Sequence, residues 1–416
     1  MEFKKVKLGE IAKFNQKSYK SNYNWKTVKY LDTGNLNKNK VENLTTFNLR
    51  KEKLPSRAKR IPQINSILYS TVRPNQEHYG ILENKFDNLL VSTGFTVIDI
   101  YKENINPKYI YYFLTKKDIT AYLQKIAEDS VSTYPAIKPS DIKNLEILLP
   151  NRNNQDKIEQ ILSNLDSKIE INNKIISNLE SQAQAIFKSW FVDFEPFQDG
   201  NFVESELGII PEGWEVKELG EVADCKLGGT PSRKKREFWN GDIPWVNSGE
   251  VNKDRIIEPS EYITEDGLKN SATKLLKRKT TLVAITGATL GQVSLLEIDC
   301  CTNQSIIGIE PNEKIPYEYI YLFIKNNINK IISNQTGAAQ QHINLNDIRT
   351  SKIIIPQSRI MTEYVKIVSL LMSKVEKNYF VNTKLAELRD ALLPKLMAGE
   401  IDVSNIKIEG EEVKNE

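Results

Sequence analysis

Apolar residues in the middle of the chain fall at alternating steps of four and three: Ile158, Leu162, Leu165, Ile169, Asn172, Ile176, Leu179, Ala183 and Ile186. Such heptad spacing keeps one stripe of a helix turned toward a partner helix. It predicts one long helix over residues 151–192. A second stretch of this kind, 357–399, places Val368, Leu371, Val375, Asn378 and Leu385 each 206 positions beyond Leu162, Leu165, Ile169, Asn172 and Leu179. An Asn buried in an apolar stripe costs stability unless it meets a polar partner, and coiled coils use that to fix register. In one copy alone it would read as a surface residue of an amphipathic helix. Its presence in both copies assigns Asn172 and Asn378 to the seam.

The segments between the helices repeat as well. LGEIA at 8–12 returns as LGEVA at 219–223, YLDTGNL at 30–36 as WVNSGEV at 245–251, and NSILYST around Leu68 as KTTLVAIT around Val283. Their β-branched and aliphatic content reads as strands. Tyr109 to Phe113 after Pro107 are mirrored by Tyr319 to Phe323 after Pro316, an aromatic cluster at helical spacing and hence core. IKPSDIKNLEILLP at 137–150 pairs with INLNDIRTSKIIIP at 343–356, each a polar turn and a strand ending at a proline that opens the helix. The expected plan is a globular segment (1–150), a central helix (151–192), a connector (193–212), a second globular segment (213–356), a second helix (357–399) and an acidic tail (400–416). The fold class is α+β: two repeated α/β domains joined by two long helices, packed as an antiparallel coiled coil about an approximate twofold axis. About 40 helical residues make a rod on the order of 60 Å.

With 40% hydrophobic and 27% charged residues among 416, the chain reads as a soluble globular protein of two or three domains. No apolar run suits a membrane span, and the start MEFKKVKLGE lacks an export signal, so a cytoplasmic location is expected. Three cysteines, Cys225, Cys300 and Cys301, lack zinc-site spacing and read as reduced and structural. Two histidines, His78 and His342, give no basis for a metal site or a serine-type triad and are expected to hydrogen-bond locally. Residues 1–60 hold sixteen Lys or Arg against five acids, whereas 400–416 hold six acids against two bases. A basic front end favours a polyanionic partner. Phosphate-loop, GxGxxG and adenine-methyltransferase tetrapeptide motifs are missing; Asn106, Pro107, Lys108 and Tyr109 come closest but lack the second proline.

Several segments in order resemble the DNA specificity subunit of type I restriction-modification systems: FKSWFVDF at 187–194, LGIIPEGWEVKELGEV at 207–222, LGGTPS at 227–232, ITGATLGQ at 285–292 and LLPKLMAGEIDV at 392–403. The resemblance spans essentially the whole chain. It implies a non-catalytic subunit with two target-recognition domains, each binding half of a split asymmetric site on double-stranded DNA, held apart by the paired helices. It also implies docking of two adenine-specific methyltransferase subunits and, through the larger complex, endonuclease/translocase subunits. The cofactors, S-adenosylmethionine and ATP with magnesium, would belong to those partners. A rival reading is a duplicated coiled-coil scaffold joining two protein-binding domains; it predicts no basic loops at matching positions.

Bases are read by Arg or Lys on guanine and Asn or Gln on adenine, while phosphate contacts fix position. In the first reader the candidates are Arg50, Lys51, Lys53, Arg57, Lys59 and Arg60, then Arg73, Asn75, Gln76 and His78, then Ser132, Thr133 and Tyr134. In the second they are Thr230, Ser232, Arg233, Lys234, Lys235 and Arg236 after a flexible Gly228-Gly229 pair, then Thr286, Thr289 and Gln292, then Gln340, Gln341 and His342. For any one of them the plain alternative is a solvated surface residue. Four consecutive cations from Arg233 to Arg236 repel one another unless an anion relieves them, which makes them the expected phosphate contact.

Overall fold

The computed structural model describes residues 2–20, 22–130, 134–333 and 342–407. It divides into two compact units, one built from residues 1–168 and 385–416, the other from 169–384. The divisions fall inside the two long helices, Arg152–Phe191 and Ser358–Ala398. Each unit therefore contains a segment of both helices, rather than ending at residues 150 and 356. No described helix is long and apolar enough to cross a membrane.

In the first unit, Lys4–Lys7 pairs antiparallel with Glu146–Leu149 and closes the globular part beside the central helix. Two four-stranded sheets follow from the alternating apolar segments. One orders Thr45–Asn48, Thr27–Leu31, Leu89–Ser92 and Ala58–Arg60; the other orders Ala12–Phe14, Phe95–Ile100, Ile67–Ser70 and Tyr79–Ile81. Strands Ile67–Ser70 and Leu89–Ser92 are buried throughout, which explains their unbroken apolar character. Helix Pro107–Leu114 starts with Asn106 accepting from the Lys108 and Tyr109 amides and a proline in its first turn. Its aromatic run packs with Ile158 and Leu162 of the central helix and with Leu393, Leu396 and Met397 of the C-terminal one. Asp166 accepts from Tyr112 Oη and from Arg389 Nη1, both at 2.7 Å. Val403 is fully buried in the same core, and Lys157 Nζ donates to Ser404 O at 3.0 Å, so the expected acidic tail begins as packed structure. Residues 408–416 lie outside the described residues.

The second unit repeats this construction. Glu215–Glu218 pairs with Lys352–Ile355 as Lys4–Lys7 does with Glu146–Leu149. Leu8 N donates to Leu145 O and Leu219 N to Ser351 O, each at 2.9 Å. Tyr109 Oη donates to Leu148 O, and Tyr319 Oη to Ile354 O. The segment FKSWFVDF is core: Phe187 and Phe191 are buried, and the Phe191 ring meets Tyr319 at 4.7 Å, Tyr364 at 4.8 Å and Trp214 at 5.8 Å between centroids. Aromatic pairs at these spacings add to the burial that already fixes the end of the helix.

In this unit the two helices run antiparallel. Asn172 Nδ2 donates to Asn382 Oδ1 at 2.8 Å, and Phe191 meets Tyr364, so contacts move back along one helix as they advance along the other. In the seam Ile158, Leu162, Asn172, Ile176, Val368 and Val375 are buried, and Leu165, Ile169, Leu179, Leu371 and Leu385 are half-buried. Asn378 departs from expectation. Its Nδ2 donates to Lys374 O of its own helix, and the partner of Asn172 is Asn382, which also donates to Asn173 Oδ1. The 206-residue offset identifies equivalent positions, not touching ones: the equivalent of Asn382 in the first copy is Ile176, which offers Asn378 no acceptor. Asn172→Ala, which leaves Asn382 Oδ1 without its donor, is expected to cost about 1–3 kcal/mol in denaturant unfolding. Replacing Asn172 and Asn382 together by Leu is expected to recover most of that loss.

Candidate nucleic-acid interface

The first unit gathers part of its candidate residues at one rim. The tip Thr93-Gly94 follows strand Leu89–Ser92, and Thr93 N donates to Arg57 O at 2.9 Å. Thr71 N donates to Gly94 O and Ile137 N to Thr71 O, both at 2.8 Å, while Arg73 N donates to Pro135 O at 2.9 Å. A Cβ on Gly94 would stand 2.8 Å from Thr33 Cγ2, so the tip abuts the turn Thr33–Asn35, capped by Asp32. The turn Pro74–Gln76 lies between two left-handed residues, Arg73 at φ 47° and Glu77 at φ 55°. Asn75 N donates to Gln124 Oε1 at 3.1 Å. The Arg73 guanidinium lies over the Tyr134 ring, 5.6 Å from its centroid. Arg57, Arg73, Asn75, Gln76 and Tyr134 thus share one edge.

Arg50, Lys51, Lys53, Arg57 and Lys59 are exposed, and among the described residues none of them meets a carboxylate within 4.0 Å. Arg60 differs from these exposed neighbours. Its Nη1 donates to Asn15 Oδ1 at 2.6 Å and burial lowers its pKa, so it braces the Asn15 turn from inside the sheet. His78 Nδ1 sits 2.7 Å from Leu36 O, the expected local bond.

The second unit builds the same rim. Ile285 N donates to Ser305 O at 3.0 Å and Ile343 N to Ile285 O at 3.2 Å, the counterparts of the two bonds made by Thr71. The turn here, Gly287–Thr289, starts at a left-handed residue, Gly287 at φ 66°, and is followed by another, Gly291 at φ 81°. Gly287 and Gly291 stand where the first unit has Arg73 and Glu77, so one loop template is filled with different side chains. Thr286 is exposed, and Thr289 Oγ1 donates to Thr286 O at 3.3 Å. Thr230 Oγ1 donates to Gln304 Oε1, in the turn between strands Cys300–Thr302 and Ile306–Glu310. His342 is exposed. Ser132, Thr133, Gln340 and Gln341 lie outside the described residues.

Three expectations for this rim change. Arg233 already has its anion: Nη1 and Nη2 donate to Glu261 Oε1 and Oε2 at 2.6 and 2.7 Å, and the guanidinium lies 3.6 Å from the Trp239 ring centroid. The hydrogen bonds from Arg233 hold the Glu261 carboxyl below its ordinary range. Lys234, Lys235 and Arg236 remain exposed, with Lys235 Nζ over the Phe238 ring at 4.8 Å. The Gly228-Gly229 pair is clamped, not flexible. Their amides donate to Ile306 O and Thr302 O at 3.0 and 2.8 Å, and a Cβ would come 2.2 Å from Asn303 O at Gly228 and 2.5 Å from Thr273 N at Gly229. Gln292 turns its Oε1 inward, where it is buried without a hydrogen-bond partner, beside a cleft lined by Gln184, Asp254 and Lys325.

Sequence reasoning missed the stacking partner of Arg233, although Trp239 stands only six positions on. It also missed the buried Arg255, whose Nη1 donates to Glu297 Oε1; a single Arg in a short strand carries no pattern that marks it.

A family model described as "Type I restriction modification DNA specificity domain" matches residues 1–181 and 211–388. The chain is 29% identical to the type I restriction enzyme HindI specificity subunit of Haemophilus influenzae, over 96% of this chain and 100% of that one. It is 33% identical to the type I restriction enzyme MjaIX specificity subunit of Methanocaldococcus jannaschii, over 76% and 74%. Among solved structures, the type I restriction-modification system S subunit from M. genitalium superposes with a TM-score of 0.55 at 17% identity, over 95% of this chain and 96% of that one, which shows a common fold.

Proposed function

Because the chain belongs to the type I restriction-modification DNA specificity family, we propose that it reads a split, asymmetric site on double-stranded DNA, one half with the rim of each unit, and performs no chemistry itself. One observation carries this reading: the two units repeat the same rim bonds and left-handed turn while filling them with different exposed side chains. A shared frame with divergent loops suits recognition of two different sequences. The paired helices serve as the spacer and as the dock for two adenine-specific methyltransferase subunits. Supporting that role, Ile171 and Ile175, and likewise Ile367 and Leu370, place exposed apolar side chains on single helix faces outside the seam. S-adenosylmethionine is assigned to those methyltransferases, and ATP with magnesium to the endonuclease/translocase subunits they recruit.

The test is a methylome. The chain is co-expressed with the methyltransferase subunit encoded beside it in a host lacking adenine methylation, and N6-methyladenine is mapped by single-molecule sequencing. The expected result is two short specified blocks separated by a fixed unspecified gap. A soluble complex that methylates nothing would overturn the reading in favour of a duplicated scaffold for proteins.

Neutralising Lys51, Lys53, Arg57 and Lys59 is expected to weaken DNA binding and to lower the slope of log K against log salt by roughly 0.9 for each one that meets a phosphate. Neutralising Lys234, Lys235 and Arg236 is expected to act the same way, while Arg233→Gln alone leaves the slope unchanged because its charge is already matched by Glu261. Titrations of duplex DNA at several salt concentrations check both.

A further inference from the structure

Two arginines at the rims lie over aromatic rings, and they differ in one respect. Arg233 in the second unit is closed by the two oxygens of Glu261. Arg73 in the first unit lies over Tyr134, is exposed, and among the described residues meets no carboxylate within 4.0 Å. Glu77, the nearest acid along the turn, is engaged by Lys38 Nζ at 2.7 Å. Arg73 is thus a cation that lies over a ring and, among the described residues, meets no carboxylate.

Its backbone points the same way. At φ 47° and ψ 70° Arg73 occupies the left-handed region, where the second unit has Gly287. Glycine takes that conformation with no penalty from a Cβ, which an arginine meets, so the template itself suits glycine. An arginine kept there accepts a strained backbone to bring its side chain to the rim, and such outliers gather at functional sites. The turn that follows supplies Asn75 and Gln76, both exposed. These are residue types that read base edges, whereas the rim of the second unit offers only small residues at 287–289.

We infer that Arg73 is a specificity-determining residue that reads a guanine in the half-site of the first unit, its fork donating to the O6 and N7 edge. The inference rests on the DNA-reading role proposed above and assigns one base of it. Tyr134 holds the guanidinium plane, and the left-handed turn aims it. An arginine fork on guanine is the commonest specific contact in the major groove and discriminates against other bases roughly 10-fold to 100-fold.

Arg73→Gly is the decisive variant, because glycine suits the left-handed backbone and leaves the fold unstrained; Arg73→Ala is carried beside it. Both are compared with the unaltered chain in the methyltransferase complex by methylome and by duplex binding at several salt concentrations. One guanine position, in one block only, is expected to become degenerate in both variants, with the gap and the other block unchanged. A motif identical to that of the parent, with binding weakened evenly and the salt slope lowered by about one, would make Arg73 a phosphate contact and overturn the inference. So would variants that bind and methylate as the parent does. Absence of a bipartite motif from the unaltered chain would instead sink the functional reading on which the inference rests.

Discussion

Glu297→Ala is expected to destabilise the chain by about 3–5 kcal/mol, the cost of leaving a buried charge without its partner. The side chains of Glu297 and Arg255 are both 0% exposed. Arg255 Nη1 donates to Glu297 Oε1, Arg255 Nη2 lies 3.5 Å from Met372 Sδ of the C-terminal helix, and the guanidinium faces the Tyr321 ring at 5.5 Å. The other oxygen of Glu297 accepts from Lys279 Nζ at 2.5 Å, and Lys279 also reaches Glu376 of the same helix at 2.7 Å. Removing the carboxylate leaves the fully buried Arg255 guanidinium with only Glu180 Oε1, at 3.8 Å, and leaves the Lys279 ammonium to Glu376 alone. Urea unfolding followed by tryptophan fluorescence measures the change. Arg255→Met together with Glu297→Gln removes the stranded charge and is expected to recover much of the loss, whereas equal stability of Glu297→Ala and the parent would mean the pair is solvated.

A heptad added to both long helices, after Asn173 in the first and before Asn382 in the second, is expected to lengthen the unspecified gap of the methylated motif by up to about three base pairs. The insertion points flank the Asn172–Asn382 bond, so the new turns meet each other and the old seam keeps its register. Seven residues at 1.5 Å add roughly 10 Å, the length of about three base-pair steps at 3.4 Å. The two blocks themselves are expected to stay unchanged. Seven residues added to one helix alone leave two turns without a seam partner and are expected to abolish methylation. A double insertion that methylates the original motif with its original gap would separate the helices from the spacing role.

Elements written in local patterns were legible before any coordinates. The heptads, the proline-terminated strands and the aromatic helices each repeat at short range, and two copies of each made the architecture readable. Partnership was not legible. Asn378 looked like the match of Asn172 because equivalence is visible in an offset, whereas contact depends on how antiparallel helices slide past each other. Within the charge run from Arg233 to Arg236, the pairing of Arg233 is not visible in the sequence, because Glu261 lies 28 positions away and closes on it only through folding. Arg60 looked like its basic neighbours, yet the strand Ala58–Arg60 turns it toward Asn15. Two adjacent glycines at 228 and 229 suggest freedom, but their missing side chains make room for the neighbouring backbone.

The first unit also brings distant parts of the chain together. Gly399, left-handed at φ 75°, ends the C-terminal helix, and a Cβ there would lie 2.4 Å from Cε2 of Phe3. With Phe3 against Gly399 and Val403 buried beyond it in the same core, the first strand and the segment after the C-terminal helix lie side by side, and a peptide that leaves from beyond Ser404 toward the first strand would join them and keep that core. The hairpin between Phe202–Ser205 and Gly208–Pro211 turns at exposed Glu206 and Leu207 and offers a place to open the joined chain again. A gene rearranged in this way would encode the second repeat before the first and still specify the same set of contacts. Which repeat is translated first is therefore a matter of circular order, and the fold leaves it free.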